Sequence, residues 1–376
     1  MLNIPLLKSK MSALGLSQTA LAQECSVSKE AVSNWLSGES FPRPGKLAVL
    51  AGRLGVTVNE LLLMDEVEPV VAFRMRNNRS VTGSAKDAGD EVGRHLQQLL
   101  AFTTTLPTLF EPPHLRTPSL DDDVIRAAAA AVRSSLKLSP TDVMSTEQLL
   151  ELFHDFGAFL VPVFWGGDKD GHENAMSVYL PDSKSSWVVF NLGCRQDDFK
   201  YWLAHEYGHC LTLHKLQGDD GETFAEKFAQ QLLFPDELAQ QALASIRQSD
   251  KPLAAANWFA GKYDISVVTV VKAADRIALS RGEKATGLET IRFYTDWRKT
   301  RKNAPTVSHL LFGTDTPPAT QYILKCEEVF RTPVFQALRR WQRNNEGRSP
   351  AFIASTLNIA LGDAVELSHA LWELPA

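Results

Sequence analysis

The sequence predicts an α+β protein in three parts: an all-α N-terminal unit, an α+β unit around a small sheet, and a mainly helical C-terminal region. Three observations predict this. Closely spaced helix caps fill the first sixty-odd residues, apolar runs of strand length cluster between residues 158 and 191, and helical periodicity resumes from Asp197. A chain of 376 residues exceeds one ordinary compact domain and can bury more than one core. Its net charge of −5 means that any nucleic-acid surface must be local rather than a property of the whole field.

From the N-terminus, Ser17 is read as the cap of a helix ending near Gln23, and Cys25-Ser26-Val27 as a turn. Ser28 then caps a helix with Ala31, Val32 and Trp35 at helical spacing, which Gly38 ends. Pro42 and Pro44 are expected to hold an extended link before helices over Lys46 to Leu54 and Val58 to Leu63. Short helices with a tight turn between two of them make a helix-turn-helix over residues 1–65.

Residues 66–118 are expected as a linker. It carries the basic residues Arg74, Arg76 and Arg79, an amphipathic helix over Asp87 to Phe102, and the breakers Pro107, Pro112, Pro113 and Pro118. A second domain over 119–285 opens with an alanine-rich helix from Asp121 to Leu138 and continues with a helix from Glu147 to Phe156. Ala158 to Trp165, Ser177 to Leu180 and Trp187 to Asn191 read as strands, and Asp197 to Leu213, Glu222 to Leu233 and Pro235 to Arg247 as helices. A turn at Asp264-Ile265-Ser266 divides the helical stretch from Asn257 to Ser280. Residues 286–376 form a third region with no chemistry above background.

Cys25, Cys194, Cys210 and Cys326 show no C-x-x-C spacing, which argues for reduced thiols. No apolar run nears the roughly eighteen residues of a membrane span, so the expectation is a cytoplasmic protein with no membrane partner.

His205-Glu206-Tyr207-Gly208-His209 is the chemically informative stretch. In a helix, positions i and i+4 share a face, so both imidazoles of H-E-x-x-H can reach one Zn2+ while Glu206 borders the same opening as general base. Such a site needs a third protein ligand. Glu222 is expected to supply it, and Glu226 to accept a hydrogen bond from the far ring nitrogen of His205 or His209 and fix its tautomer. Glu206 would take a proton from the zinc-bound water and hand it to the leaving amine. His214, five residues past His209, is read as structural. His172 and Tyr179 are weaker candidates for oxyanion stabilisation, read first as surface or packing residues.

The stretch Phe199 to His209, with His214, followed by Glu222-Thr223-Phe224-Ala225-Glu226-Lys227-Phe228-Ala229-Gln230-Gln231-Leu232-Leu233-Phe234-Pro235, resembles the ImmA/IrrE family of zinc metallopeptidases. That family pairs A-H-E-x-G-H with E-x-x-A-x-x-F-A-x-x-L-L-x-P. The position after Ala225, often Asn or Asp in the family, is Glu226 here. The resemblance spans roughly Ser119 to Leu279. It implies a zincin-like domain and, as in many members, a protein substrate that is a repressor or antitoxin.

Leu16-Ser17-Gln18-Thr19-Ala20-Leu21-Ala22-Gln23, then Ser26 to Trp35 and Ser37-Gly38, resemble the XRE family of helix-turn-helix repressors. The resemblance implies that Ser28, Lys29, Glu30, Ser33 and Asn34 face base edges or phosphates in the major groove of double-stranded DNA, with Gln18 on a phosphate. Paired half-sites would make the protein a homodimer. Together the resemblances imply a DNA-binding regulator with its own zinc endopeptidase. Two alternatives stay open on the sequence: a non-proteolytic repressor whose zinc domain senses or scaffolds, and the toxin of a toxin–antitoxin or phage regulatory module.

Overall fold

The computed structural model describes residues 2–58, 60–61, 69–73, 83–103, 112–164, 175–301, 304–345 and 349–374. They belong to two compact units, Met1–Val67 and Glu68–Ala376.

Among its described residues the first unit has four helices, α1 (Ile4–Ala13), α2 (Gln18–Glu24), α3 (Lys29–Ser37) and α4 (Pro44–Leu54). The hydroxyls of Ser17 and Ser28 cap α2 and α3, accepting from the amides of Ala20 and Ala31 at 3.1 and 3.2 Å. Between them Ser26 takes a left-handed conformation with φ of 50°, and Gly38 closes α3 at φ of 80°. Of the apolar residues expected in this core, Leu21, Ala22, Val32, Trp35, Leu47 and Leu54 are buried, while Val27 and Ala31 are half-buried against it. Leu7 and Met11 from α1, a helix the cap signals did not reveal, complete the core with Leu50 and Leu61. Pro44 does not extend a link but starts α4, where its fixed φ is an advantage and its missing N–H costs nothing.

The second unit begins with β1 (Val70–Phe73) and α5 (Gly83–Leu100). Both fall inside the expected linker, and both are packed structure: β1 pairs with a strand a hundred residues later, and Val92, Leu96 and Leu99 of α5 enter the main core. Burial of these apolar residues outweighs the weak local signals that suggested a tether. Arg74, Arg76, Arg79, Pro107 and His172 lie outside the described residues.

Next come α6 (Asp122–Ser135), α7 (Thr146–Phe156), β2 (Phe159–Val163), β3 (Ala175–Leu180) and β4 (Ser185–Asn191). The four strands form one sheet in the order β1-β3-β4-β2. β3 runs antiparallel to both neighbours, and β2 is parallel to β4 with Phe159 opposite Trp187. Every residue of β2 is buried. On one face lie α8 (Gln196–Thr212) and, packed on it, α9 (Gly218–Leu233). On the other lies α5, whose Gly93 sits beside Val178 of β3 and Pro69.

The helices α10 (Asp236–Gln248), α11 (Pro252–Tyr263) and α12 (Val267–Ser280) extend the same core. Asp236 accepts from Gln231 at 2.7 Å and Arg276 at 2.5 Å, joining α9, α10 and α12. The remaining helices are α13 (Ile291–Arg301), α14 (Val307–Phe312), α15 (Ala319–Phe330), α16 (Val334–Asn344), α17 (Ser349–Leu357) and α18 (Leu361–Glu373). They are not a separate domain. The hydroxyls of Tyr322 and Thr332 donate to the carbonyls of Pro162 and Leu160 along β2, and Ile323, Phe330 and Phe335 join the core shared with the sheet. A strand edge left in an apolar interior needs partners for its carbonyls, and the C-terminal helices supply them. The four cysteines are buried. No helix among the described residues is long and apolar enough to cross a membrane.

Candidate metal centre and nucleic-acid interface

α8 and α9 build the constellation between them. His205 and His209 are one turn apart on α8, and both are 1 % exposed. Their Nε2 atoms are 3.1 Å apart. From the second turn of α9, Glu222 places Oε1 3.0 Å from His209 Nε2 and Oε2 3.4 Å from His205 Nε2. Among the described residues, these three make up the group able to hold a metal ion. Donors set tetrahedrally at about 2.0–2.1 Å from a cation lie about 3.3 Å from one another, so the three edges fit that geometry.

Two glycines permit the approach. A Cβ on Gly208 would stand 3.0 Å from the backbone Cα of Ala225 and 3.2 Å from Phe228, so only glycine lets α9 lie this close to α8. A Cβ on Gly221 would stand 2.9 Å from the carbonyl oxygen of Leu216, at the start of the helix that aims Glu222. Burial pushes the Glu222 carboxyl up, but hydrogen bonds and charge from both imidazoles prevail and hold it well below the usual carboxylate range.

Glu206 is 1 % exposed beside this cluster. Ser177 of β3, itself buried, donates its hydroxyl to Glu206 Oε2 at 2.6 Å. Sequence reasoning passed over Ser177. The available signal was a polar residue alternating with apolar ones in A-M-S-V-Y-L, on the same strand face as Tyr179.

The structure does not bring Glu226 to the imidazoles. That residue is exposed, and it is its backbone carbonyl that accepts from the Tyr201 hydroxyl at 3.3 Å. His214 stands outside the group, its ring 4.4 Å from that of His114, with Tyr179 5.5 Å from His114. The aromatic packing agrees with a structural part for His214 and Tyr179.

On the first unit, Gln18, Ser28, Lys29, Glu30 and Ser33 are exposed, and Asn34 is half-buried. α3 therefore presents a polar face opposite Val32, Trp35 and Leu36. Ser28 has a second task as the helix cap, which engages its hydroxyl. The Glu30 carboxyl is lowered by the backbone amide and the Ser28 hydroxyl at the helix start, so this face carries a fixed anion beside Lys29. An anion there repels phosphate and can accept from an exocyclic base amine.

The family model for helix-turn-helix domains matches residues 7–61. This region is a DNA-binding helix-turn-helix of XRE type, and it marks the chain as a DNA-binding transcriptional regulator. No curated protein matches the chain, and no solved structure does.

Proposed function

We propose that this regulator carries a zinc-dependent endopeptidase that hydrolyses a regulatory protein, a repressor or an antitoxin. The observation that carries the reading is the convergence of His205, His209 and Glu222 within hydrogen-bond distance of one another, with the Glu206 carboxylate buried alongside. His205, His209 and Glu222 would hold the ion. When bound, zinc supplies Lewis-acid activation of water and of a carbonyl oxygen. Glu206 takes the proton of the attacking water and returns it to the leaving amine, so no covalent acyl-enzyme is needed. The Ser177 hydroxyl orients that carboxylate. The resemblance of both α8 and α9 to the ImmA/IrrE motifs supports the same reading and adds the zincin-like fold.

Its DNA-binding unit would confine such a peptidase to sites of transcriptional control, which favours one or a few protein substrates over general digestion. The test compares wild type with Glu206→Gln. Both proteins should bind about one zinc each, and only wild type should cleave a co-expressed protein from a neighbouring gene. A chain that takes up no zinc, or a wild type that cleaves nothing the variant spares, overturns the reading.

A further inference from the structure

An extended peptide entering beside Glu206 would add to the outer edge of β3, the strand whose Ser177 holds that carboxylate. In this chain that edge is taken. β1 lies antiparallel along it in four consecutive pairs, Val70 with Tyr179, Val71 with Val178, Ala72 with Ser177 and Phe73 with Met176. Directly opposed residues of antiparallel strands share a face, so Ala72 and Val70 project with Ser177 and Tyr179 toward α8. β1 also packs on α9, the helix that carries Glu222. The far edge of the sheet offers no alternative, because the Tyr322 and Thr332 hydroxyls occupy carbonyls of β2.

We propose that the β3 edge is a peptide-binding groove, and that β1 is its resident occupant, exchanged for an extended substrate segment of the same chemistry. This rests on the peptidase reading and names its substrate class: an uncharged, extended segment with a small side chain opposite Ser177, as Ala72 is, and a β-branched one opposite Tyr179, as Val70 is. A strand of four residues contributes few ladder bonds, so it can leave. Val70 follows the boundary between the two units, at Val67, by three residues of sequence. The occupied groove lowers the apparent affinity for any incoming peptide by the fraction of chains in which β1 is seated.

The test uses the full chain with Glu206→Gln, so that bound peptide is not consumed. The probe is a fluorescein-labelled pentapeptide with the sequence of residues 69–73, read by anisotropy. Successive N–H groups of a strand point to opposite edges, so proline at Val71 or at Ala72 removes one that faces β3, and the other variant is the control. One of Val71→Pro and Ala72→Pro should bind the probe about tenfold tighter or more than the parent. A probe with tryptophan in place of its alanine should lose that gain. Equal affinity across parent and both variants, or undiminished binding of the tryptophan probe, overturns the groove.

Should the proline variants fail to fold, hydrogen exchange on the parent decides. Saturating probe must accelerate exchange in Val70–Phe73 while leaving β4 unchanged, and unchanged exchange in Val70–Phe73 overturns the proposal. Zinc content and cleavage by wild type are measured separately. Peptide binding without any cleavage sinks the peptidase reading alone, and cleavage without displacement of β1 sinks the groove alone.

Discussion

Glu222 and Glu226 stand one turn apart on α9, and only the first meets the histidines. Positions i and i+4 share a face but stand about 6 Å apart along the axis, so with Glu222 at the imidazoles Glu226 lies a turn further along α9, exposed. The two residues should therefore separate in experiment. Glu222→Gln should weaken zinc binding on the order of a hundredfold or more, since even groups one step behind a ligand typically account for ten- to a hundredfold. Glu226→Gln should leave zinc affinity within about twofold of wild type. Competition titration with a chromophoric chelator reads both, and a large loss in Glu226→Gln would restore the tautomer-fixing role the sequence suggested.

At the scale of elements, the decisive contact is α8 on α9. Its closeness depends on Gly208, set between the two histidines, where a Cβ would press on the Ala225 backbone. Gly208→Ala should destabilise the second unit by about 1–3 kcal/mol, the usual range for overpacking a rigid contact, even though alanine is the better helix former. Chemical denaturation followed at the second unit's transition reads this. An unchanged or higher stability would mean that α9 can shift without penalty, and Glu222 with it. The motif A-H-E-x-G-H thus has a packing reason for its glycine as well as a chemical reason for its other letters.

For the whole molecule, a pH dependence follows from histidines away from the His205–His209–Glu222 cluster. Burial lowers the pKa of His95, which packs its ring on Phe352, and of His154 and His214. Each ring is therefore favoured neutral in the fold, while in the unfolded chain it titrates near its ordinary 6.5. Between that value and the lowered folded one, the unfolded chain binds more protons, so stability falls as pH drops below 6.5. The second unit should melt at a lower temperature at about pH 5.5 than at about pH 7.5, and His154→Gln should flatten part of the difference. A melting temperature that rises on acidification over this window would contradict the assignment.

Local pattern alone determined the helix-turn-helix, its two serine caps, the strands β2, β3 and β4, and the placing of His205 and His209 on one helical face. Caps, period and i, i+4 spacing act within a few residues and need no partner elsewhere. Tertiary structure alone decided the rest. It made Val70–Phe73 an edge strand, packed the expected amphipathic helix as α5 onto the sheet, and tied the described C-terminal helices to the sheet through bonds to β2. It also left Glu226 exposed, away from the two histidines, and brought Ser177 to Glu206. Each of those outcomes is a pairing across many residues of chain, and its energy comes from burial and from edge carbonyls and carboxylates that must find partners, which no local periodicity records.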